Sequence, residues 1–324
     1  MVRVAIAGAG FWGMNHARVL SDLKDCELVG ICDIDIERAR RAAEKYRVEA
    51  YFNDFETMLK QAKPEAITIC TPSTSHVELT ISSLHHGLDV LVEKPMATSA
   101  EEALKILSTQ EKVGRLVMVG FIERFNPAVR LAVELLSNDE IGQIILTYSR
   151  RIGWWPERIG DVGVVKDTAV HDIDLTMMLF GETPESISAR VGRLKHRYED
   201  HAQIFLTFST GRSAIIEANW LTPRKKREIH ITGERGVISV KFIEQELVIE
   251  KEDYVRIPNI KYSEPLRMEL EHFIQCVKTS TKPMVDVVDG YRASLIADII
   301  LESAALNRQI KVIDYLIEKR LPNP

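Results

Sequence analysis

The feature that most constrains this chain is a glycine-rich turn directly after its first apolar segment. Val2–Ala7 is short and rich in β-branched residues, and Gly8, Gly10 and Gly13 follow it in a G-x-G-x-x-G pattern. A strand, such a turn and a helix in this order are typical of dinucleotide-binding domains. The spacing predicts a tight turn at Gly8, close approach of a pyrophosphate at Gly10 and close helix–strand packing at Gly13.

An acidic residue after the second apolar segment extends this pattern. Asp33 lies 20 residues beyond Gly13, where dinucleotide-binding domains place an acid for the ribose hydroxyls. It also precedes a helical segment, so capping that helix is the alternative. A ribose 2′-phosphate ~4 Å from this carboxylate would be repelled by up to ~4 kcal/mol at an effective dielectric constant of about 20. The predicted cofactor is therefore NAD rather than NADP, and we do not expect Arg38 and Arg40, within the helix, to bind phosphate.

Short apolar segments alternate with longer amphipathic segments over roughly the first third of the chain. The apolar segments are rich in Val, Ile and Leu, as expected for strands buried on both faces. This alternation predicts right-handed crossovers and a doubly wound parallel sheet. The predicted strands are 2–7, 27–32, 66–70, 89–92 and 116–119. The predicted helices are 12–23, 35–46, 76–86 and 99–112.

A period of two replaces this pattern in the second part of the chain. Segments 201–209 and 213–220 each place apolar side chains on one face, and Thr210-Gly211 between them predicts a hairpin turn. We therefore expect a large, mainly antiparallel sheet with one covered face. Two helical patterns follow near the C-terminus. The predicted domains are 1–121 and 122–324, in an α/β domain followed by an α+β domain, with the C-terminal helices expected to pack back on the first.

Composition and charge limit the function classes. The 324 residues are 45% hydrophobic and 27% charged, ordinary proportions for a globular protein of about two domains. A net charge of −5 disfavours general binding of the chain to nucleic acid or to anionic membranes. We find neither a secretory-signal pattern nor the ~18 uninterrupted apolar residues of a membrane span. The four cysteines show no metal-like spacing, so we expect reduced thiols in a soluble cytoplasmic protein.

Lys94 is the first candidate catalytic residue. Glu93-Lys94-Pro95 ends the fifth predicted strand, and ligands of doubly wound sheets bind beyond the carboxyl ends of strands. Pro95 disfavours helical geometry at Lys94 and so fixes its direction. A lysine there can donate a hydrogen bond to a substrate hydroxyl and relay its proton. A surface lysine at a strand end is the alternative.

A second candidate constellation is Asp167-x3-His171-x2-Asp174. We expect Asp167 to cap a helix, and all three side chains to share the face opposite its apolar side. A histidine oriented by carboxylates suits a general base for alcohol oxidation. A solvated helix face with an Asp–His pair explains the pattern equally well.

Taken together and in this order, these motifs resemble the Gfo/Idh/MocA family, named after glucose-fructose oxidoreductase, inositol dehydrogenase and rhizopine-catabolism proteins. The resemblance also includes Cys70-Thr71-Pro72 with His76, and the C-terminal segment 269–290. It implies a Rossmann domain followed by an α+β domain whose open sheet mediates homodimers or homotetramers. It implies no metal requirement.

The resemblance also implies roles for individual residues. Lys94 and His171 would handle the substrate proton, and Asp167 would position the substrate. Ala169 departs from the glycine often found in this motif, and its methyl group is expected to narrow the pocket without changing the chemistry. The implied cofactor contacts are Gly8, Gly10, Phe11, Trp12, Gly13, Asp33, Thr71, Pro72, His76, Glu93 and Lys94.

Segments 120–127 and 150–156 resemble the members of this family that act on UDP-sugars. The resemblance implies oxidation of the C3 hydroxyl of UDP-N-acetylglucosamine, with 2-oxoglutarate able to regenerate NAD in place. The candidates for binding a diphosphate are Arg124, Arg150, Arg151, Arg158 and the basic run 224–227, and those for stacking on a sugar or uracil ring are Trp154 and Trp155. The implied substrate contacts are Lys94, Arg124, Phe125, Asn126, Arg151, Trp155, Asp167 and His171.

Two other functions remain open. One is a myo-inositol or free-sugar dehydrogenase of the same family. The other is a cofactor-sensing regulator, which we would expect to have lost Lys94 or His171. Both residues are present, which favours catalysis.

Overall fold

The computed structural model describes residues 1–155 and 160–324. These residues divide into two compact units. The first contains Met1–Phe121 and Leu266–Tyr291, and the second contains Ile122–Pro265 and Arg292–Pro324. The first unit thus includes a C-terminal segment in addition to the residues of the predicted first domain.

The first unit is built on a six-stranded parallel sheet, which confirms the predicted α/β class. Its strands are β1 (Val2–Ala7), β2 (Cys26–Cys32), β3 (Tyr51–Phe52), β4 (Ala66–Ile69), β5 (Asp89–Glu93) and β6 (Val117–Gly120). Their order across the sheet is β3-β2-β1-β4-β5-β6. The order reverses between β1 and β4, the kind of switch point at which open α/β sheets bind ligands.

Five helices connect these strands, and side-chain caps explain where several begin. Asp35 accepts hydrogen bonds from the backbone N–H groups of Glu37 and Arg38, which satisfies donors that the helix leaves unpaired. Asp54 and Ser99 cap two other helices in the same way. The helices are α1 (Phe11–Leu20), α2 (Ile36–Tyr46), α3 (Phe55–Ala62), α4 (His76–His85) and α5 (Ala100–Val113).

The second unit is built on a nine-stranded sheet. Its strands are β7 (Ile144–Trp154), β8 (Ser186–Gly192), β9 (His201–Thr207), β10 (Ser213–Asn219), β11 (Leu221–Gly233), β12 (Gly236–Lys241), β13 (Glu246–Glu250), β14 (Val255–Arg256) and β15 (Ile310–Lys311). Their order is β14-β13-β12-β11-β7-β10-β9-β8-β15. β7 and β10 are parallel, and the other neighbouring pairs are antiparallel. The predicted, mainly antiparallel sheet is therefore confirmed.

Alternating burial in β9 shows why this sheet has one covered face. Ala202, Ile204 and Leu206 are buried, whereas Gln203 and Phe205 between them are exposed. The remaining helices are α6 (Pro127–Ser137), α7 (Val170–Phe180), α8 (Pro265–Thr279), α9 (Val287–Leu306) and α10 (Val312–Lys319). None of the helices in the described ranges has both the length and the apolar character needed to cross a bilayer.

Candidate active site

The glycine-rich turn after β1 leaves no room for side chains at two of its three glycines. Gly8 has a φ of +93°, and a Cβ atom there would lie 2.7 Å from the carbonyl oxygen of Cys70. A Cβ atom on Gly13 would lie 1.7 Å from the carbonyl oxygen of Gly8. A Cβ atom on Gly10 would meet no described atom within 4 Å. The turn is therefore tightly packed at Gly8 and Gly13 and open at Gly10, as the approach of a pyrophosphate requires.

The start of α1 supplies the donors that a dinucleotide phosphate needs. Gly10 is the N-cap and provides no side-chain hydrogen bond, so the first-turn N–H groups and the positive end of the helix dipole are available to an anion. Trp12, in the same turn, has a buried indole N–H for which the described residues provide no acceptor. These features fit a bound dinucleotide.

Asp33 is bonded to the same turn. It follows β2 directly, and its carboxylate accepts hydrogen bonds from the backbone N–H groups of Ala9 at 2.8 Å and Asp35 at 2.9 Å. Asp35, not Asp33, caps α2. The alternative role proposed for Asp33 is thereby removed. Arg38 lies 3.2 Å from the Asp35 carboxylate and Arg40 lies 2.7 Å from Glu37.

Glu93 organises the backbone around Lys94. One Glu93 carboxylate oxygen lies 3.1 Å from His16 Nε2, and the other accepts a hydrogen bond from the backbone N–H of Lys94 at 3.2 Å. His16 and Glu93 are both buried. Lys94 is 9% exposed, and its peptide bond to Pro95 is cis. His16 could not be recognised from the sequence, since one buried histidine on an amphipathic helix gives no signal of its own.

The segment after β4 contacts the segment after β5 through His76. Its Nδ1 lies 2.8 Å from the carbonyl oxygen of Pro95, and its Nε2 lies 2.8 Å from that of Thr71. Ser75 Oγ donates to Thr71 Oγ1 at 2.8 Å, and Pro72 precedes a short 3₁₀ turn, Ser73–Ser75. Parallel strands end at one edge of their sheet, so the turns that carry Gly8, Asp33, Thr71 and Lys94 share that edge.

Asp167, in the second unit, does not cap a helix as predicted. It lies within a π-helical turn, Val165–Ala169, that continues into α7, and Ala169 occupies the N-cap position. Thr168 Oγ1 donates to the Asp167 carboxylate at 3.0 Å and accepts from Trp220 Nε1 at 2.8 Å. This chain of hydrogen bonds orients a buried carboxylate.

The solvated helix face considered for α7 is also absent. Asp172 and Asp174 are buried in α7, and each accepts two hydrogen bonds from one arginine. Arg151 Nε lies 2.6 Å from Asp172, and Arg124 Nε lies 2.8 Å from Asp174. His171 is half-buried in the same helix. Apolar periodicity cannot reveal buried aspartates, because their burial depends on arginines distant in sequence.

Arg151 also lies 2.7 Å from the carboxylate of Glu123. Burial alone would lower the pKa of the Arg151 guanidinium, but the carboxylates of Asp172 and Glu123 outweigh burial and raise that pKa. We expected Arg124 and Arg151 to offer guanidinium groups to a diphosphate. The structure instead places both guanidinium groups in buried ion pairs, so their positive charges are already balanced by carboxylates of the second unit.

The neighbours of Arg124 have structural contacts as well. Phe125 is buried, and Asn126 accepts from the backbone N–H of Ala128 at 3.0 Å and so caps α6. Asn126 also donates to the carbonyl oxygen of Phe242 at 2.9 Å. Their predicted contact with substrate remains a prediction.

The other basic candidates lie in different surroundings. Arg150 lies 2.9 Å from Glu217, and Arg227 lies 3.6 Å from Glu123. Arg224, Lys225 and Lys226 are exposed on β11. Arg158 lies outside the described residues.

An aromatic cluster that includes one residue missed by sequence analysis lies beside Thr168. The ring centroid of Trp155 lies 4.1 Å from that of His196 and 5.3 Å from that of Trp220. Trp154 is 60% exposed, with the Lys195 ammonium 5.0 Å from its ring centroid. Aromatic faces of this kind can stack on a sugar or a base.

Asp200 fixes the turn that presents His196. Its carboxylate accepts hydrogen bonds from the backbone N–H groups of Leu194 at 2.8 Å, Lys195 at 2.6 Å and His196 at 3.2 Å. Burial by itself would raise the pKa of Asp200, but these hydrogen bonds and the one to His201 lower that pKa to about 2.

Two models of one sequence family match this chain. The model for an oxidoreductase family with an NAD-binding Rossmann fold, Gfo/Idh/MocA, matches residues 2–121, and that for the Gfo/Idh/MocA C-terminal domain matches residues 129–239. Inositol 2-dehydrogenase of Rhizobium meliloti is 27% identical, covering 96% of this chain and 99% of that protein. The scyllo-inositol 2-dehydrogenase (NAD(+)) of Bacillus subtilis is 26% identical, covering 89% and 90%.

Solved structures share the fold over nearly the whole chain. UDP-N-acetylglucosamine 3-dehydrogenase from Acidithiobacillus ferrooxidans aligns with a TM-score of 0.86 at 24% identity, covering 94% of this chain and 98% of that one. Levoglucosan dehydrogenase in complex with NADH aligns with a TM-score of 0.88 at 22% identity, covering 96% and 99%. At these identities the likeness concerns the fold alone.

Proposed function

This chain belongs to the Gfo/Idh/MocA family of NAD-binding oxidoreductases, and we propose that it oxidises a secondary hydroxyl of a sugar or cyclitol ring to a ketone. The observation that carries the proposal is the position of Lys94 at the sheet edge that also holds the glycine-rich turn and Asp33. Glu93 holds the Lys94 backbone there. Bound NAD supplies the hydride acceptor, and the hydroxyl proton is left to protein side chains.

In this proposal Lys94 donates a hydrogen bond to the reacting hydroxyl and relays its proton. His171 acts as the general base, because a neutral imidazole can accept that proton near neutral pH. Asp167 positions the substrate through the carboxylate that Thr168 orients. Each of these roles is the one that the family resemblance implies for the matching residue of this chain.

The first proposed substrate is UDP-N-acetylglucosamine, oxidised at C3. Support comes from segments 120–127 and 150–156, and from the exposed cations Arg224, Lys225 and Lys226, which suit a diphosphate. The rings of Trp155 and His196 offer a stacking surface. The buried ion pairs of Arg124 and Arg151 weaken the electrostatic part of this support.

The second proposed substrate is myo-inositol. Its support is the alignment with inositol dehydrogenases over nearly the entire length of both chains. A neutral cyclitol also requires no free guanidinium group, which agrees with the engagement of Arg124 and Arg151 by carboxylates.

One assay decides between the two substrates. Nicotinamide reduction is measured with UDP-N-acetylglucosamine, UDP-glucose, N-acetylglucosamine and myo-inositol. Formation of the ketone product is measured in parallel reactions that contain 2-oxoglutarate, the proposed oxidant of bound NADH. Turnover that requires both the UDP and the N-acetyl group supports the first substrate, and turnover of myo-inositol alone supports the second. Absence of NAD-linked oxidation of any sugar, nucleotide sugar or cyclitol would reject the proposed activity.

We also propose self-association through the exposed face of the nine-stranded sheet. Phe205 and Ile215 are partners across β9 and β10, and Tyr148 lies opposite Ile215 on β7. Phe205 is 42% exposed and Ile215 is 44% exposed. Light scattering should show a dimer or tetramer that Ile215→Glu dissociates, whereas Ile313→Glu, at an exposed position of α10, should not.

A further inference from the structure

His76 contacts two carbonyl groups from two different segments. Both ring nitrogens lie 2.8 Å from a backbone carbonyl oxygen, Nδ1 from that of Pro95 and Nε2 from that of Thr71. The side chain is 1% exposed, so water does not compete for these contacts. A carbonyl oxygen can only accept a hydrogen bond. Each contact is therefore a hydrogen bond only if the ring nitrogen carries a proton.

A neutral imidazole has one N–H group and can satisfy only one of these acceptors. The imidazolium has two and satisfies both. We infer that His76 is a doubly protonated positioning residue, which fixes the backbone beyond Lys94 to the turn after β4. This role rests on the proposed function in one respect, namely that Lys94 touches the substrate.

The contact at Pro95 completes the support of Lys94. On its amino side, Lys94 donates its backbone N–H to Glu93, whose other oxygen lies 3.1 Å from His16. On its carboxyl side, the carbonyl of Pro95 is held by His76. The backbone around Lys94 is thus anchored on both sides by buried side chains of α1 and α4. Loss of the second anchor would let the ammonium group deviate from the reacting hydroxyl without changing the phosphate site.

The contact at Thr71 has a different consequence. Thr71 follows β4 at the switch point of the sheet, and family resemblance assigns it to the cofactor. The bond from Nε2 therefore holds Thr71, the predicted cofactor contact. The bond from Nδ1 holds Pro95, next to the proposed catalytic Lys94. Substitutions that keep only one of these two hydrogen bonds should therefore affect either cofactor binding or catalysis, but not both.

Two variants separate them. The amide nitrogen of glutamine reaches about where Nε2 lies, and that of asparagine about where Nδ1 lies. His76→Gln should keep the Thr71 bond and lose the Pro95 bond, which lowers kcat about three- to tenfold and leaves the Kd of NAD unchanged. His76→Asn should do the reverse, with kcat near the wild-type value and a Kd of NAD raised about three- to tenfold. His85→Gln, exposed at the other end of α4, is the matched control.

The protonation state is measured without any substrate. Nitrogen-15 NMR of the labelled wild-type protein at neutral pH should show both ring nitrogens of His76 protonated. One unprotonated nitrogen would overturn the inference, as would equal losses of kcat and NAD affinity in both variants. Should no sugar or cyclitol be turned over, the NMR spectrum and the Kd of NAD still decide the role of His76, while the proposed activity fails separately.

Discussion

The carboxylate of Asp33 accepts a hydrogen bond from the backbone N–H of Ala9 at 2.8 Å, within the glycine-rich turn. Its second oxygen accepts from the N–H of Asp35 at 2.9 Å. These bonds fix the Asp33 carboxylate relative to the glycine-rich turn and leave each of its oxygens a further lone pair for the predicted bond to a ribose hydroxyl. Asp33 is therefore part of the framework of the turn, and its contact with the ribose is a prediction.

Asp33→Ala should weaken NAD binding and reduce the preference for NAD over NADP. The substitution removes charge-assisted hydrogen bonds worth about 1.5–3 kcal/mol, or roughly a ten- to hundredfold change in Kd. It also removes the repulsion of a 2′-phosphate. Calorimetric titration with both cofactors measures each effect.

Asp35→Ala provides the control, because Asp35 caps α2 and pairs with Arg38. It should destabilise the helix without altering the ratio of the two dissociation constants. Equal affinity of the wild-type protein for NAD and NADP would contradict the assigned role of Asp33.

Lys94→Met should reduce kcat at least about 100-fold, since general acid–base groups typically supply that much. The Kd of NAD should change little, because the phosphate site lies at the glycine-rich turn. His171→Ala should also slow oxidation and distort its pH profile. Lys112→Met, at an exposed position of α5, should leave both quantities unchanged. A Lys94→Met enzyme with more than about a tenth of the wild-type kcat would show that Lys94 does not handle the proton.

Arg124→Met should lower the free energy of unfolding by about 3–5 kcal/mol, because it leaves the buried Asp174 carboxylate without its bidentate partner. The double variant Arg124→Met/Asp174→Leu should recover much of this loss, since neither charge of this pair then remains buried without the other. Denaturant titration measures both, with Arg130→Met on the exposed side of α6 as control. A double variant that is stable but has a strongly raised KM would show that Arg124 binds substrate after all.

Asp200 should make the second unit sensitive to acid. Its pKa in the folded protein is about 2, below the ordinary value of 3.8, so it favours the folded state above that ordinary value. The contribution, up to about 2 kcal/mol, should disappear as pH falls from about 4 to about 2. The difference in unfolding free energy between wild type and Asp200→Asn should therefore shrink over this range. Asp253→Asn, at an exposed position, should show no such trend, and a difference for Asp200→Asn that stays constant with pH would exclude this mechanism.

The order of strands and helices in the first unit was predictable because parallel strands buried on both faces appear as short apolar runs. β3 was missed because two residues form no pattern, although Asp54, which accepts from the N–H of Thr57, was a readable signal for α3. Asn126-Pro127 was a similar signal for α6. The parallel pairing of β7 with β10 was beyond prediction, because it joins strands that are distant in sequence.

The residues of the candidate site also differ in whether the sequence could predict them. The roles of Gly8 and Gly13 follow from local sequence, since the backbone at each leaves no space for a side chain. His16, His196 and Asp200 gave no local signal, because each acts through partners that only folding brings close. Asp167 was assigned to a cap because a π-helical turn has no recognisable sequence pattern.

The buried pairs of Arg124 with Asp174 and of Arg151 with Asp172 have an evolutionary consequence. Arg124 and Arg151, from the two segments on which the predicted UDP-sugar specificity depends, form ion pairs inside the second unit, so their presence does not by itself indicate that substrate. Trp154, which is 60% exposed, can in contrast be exchanged without disturbing these buried pairs. A lineage built in this way can acquire new substrates through a few accessible side chains while its interior stays the same.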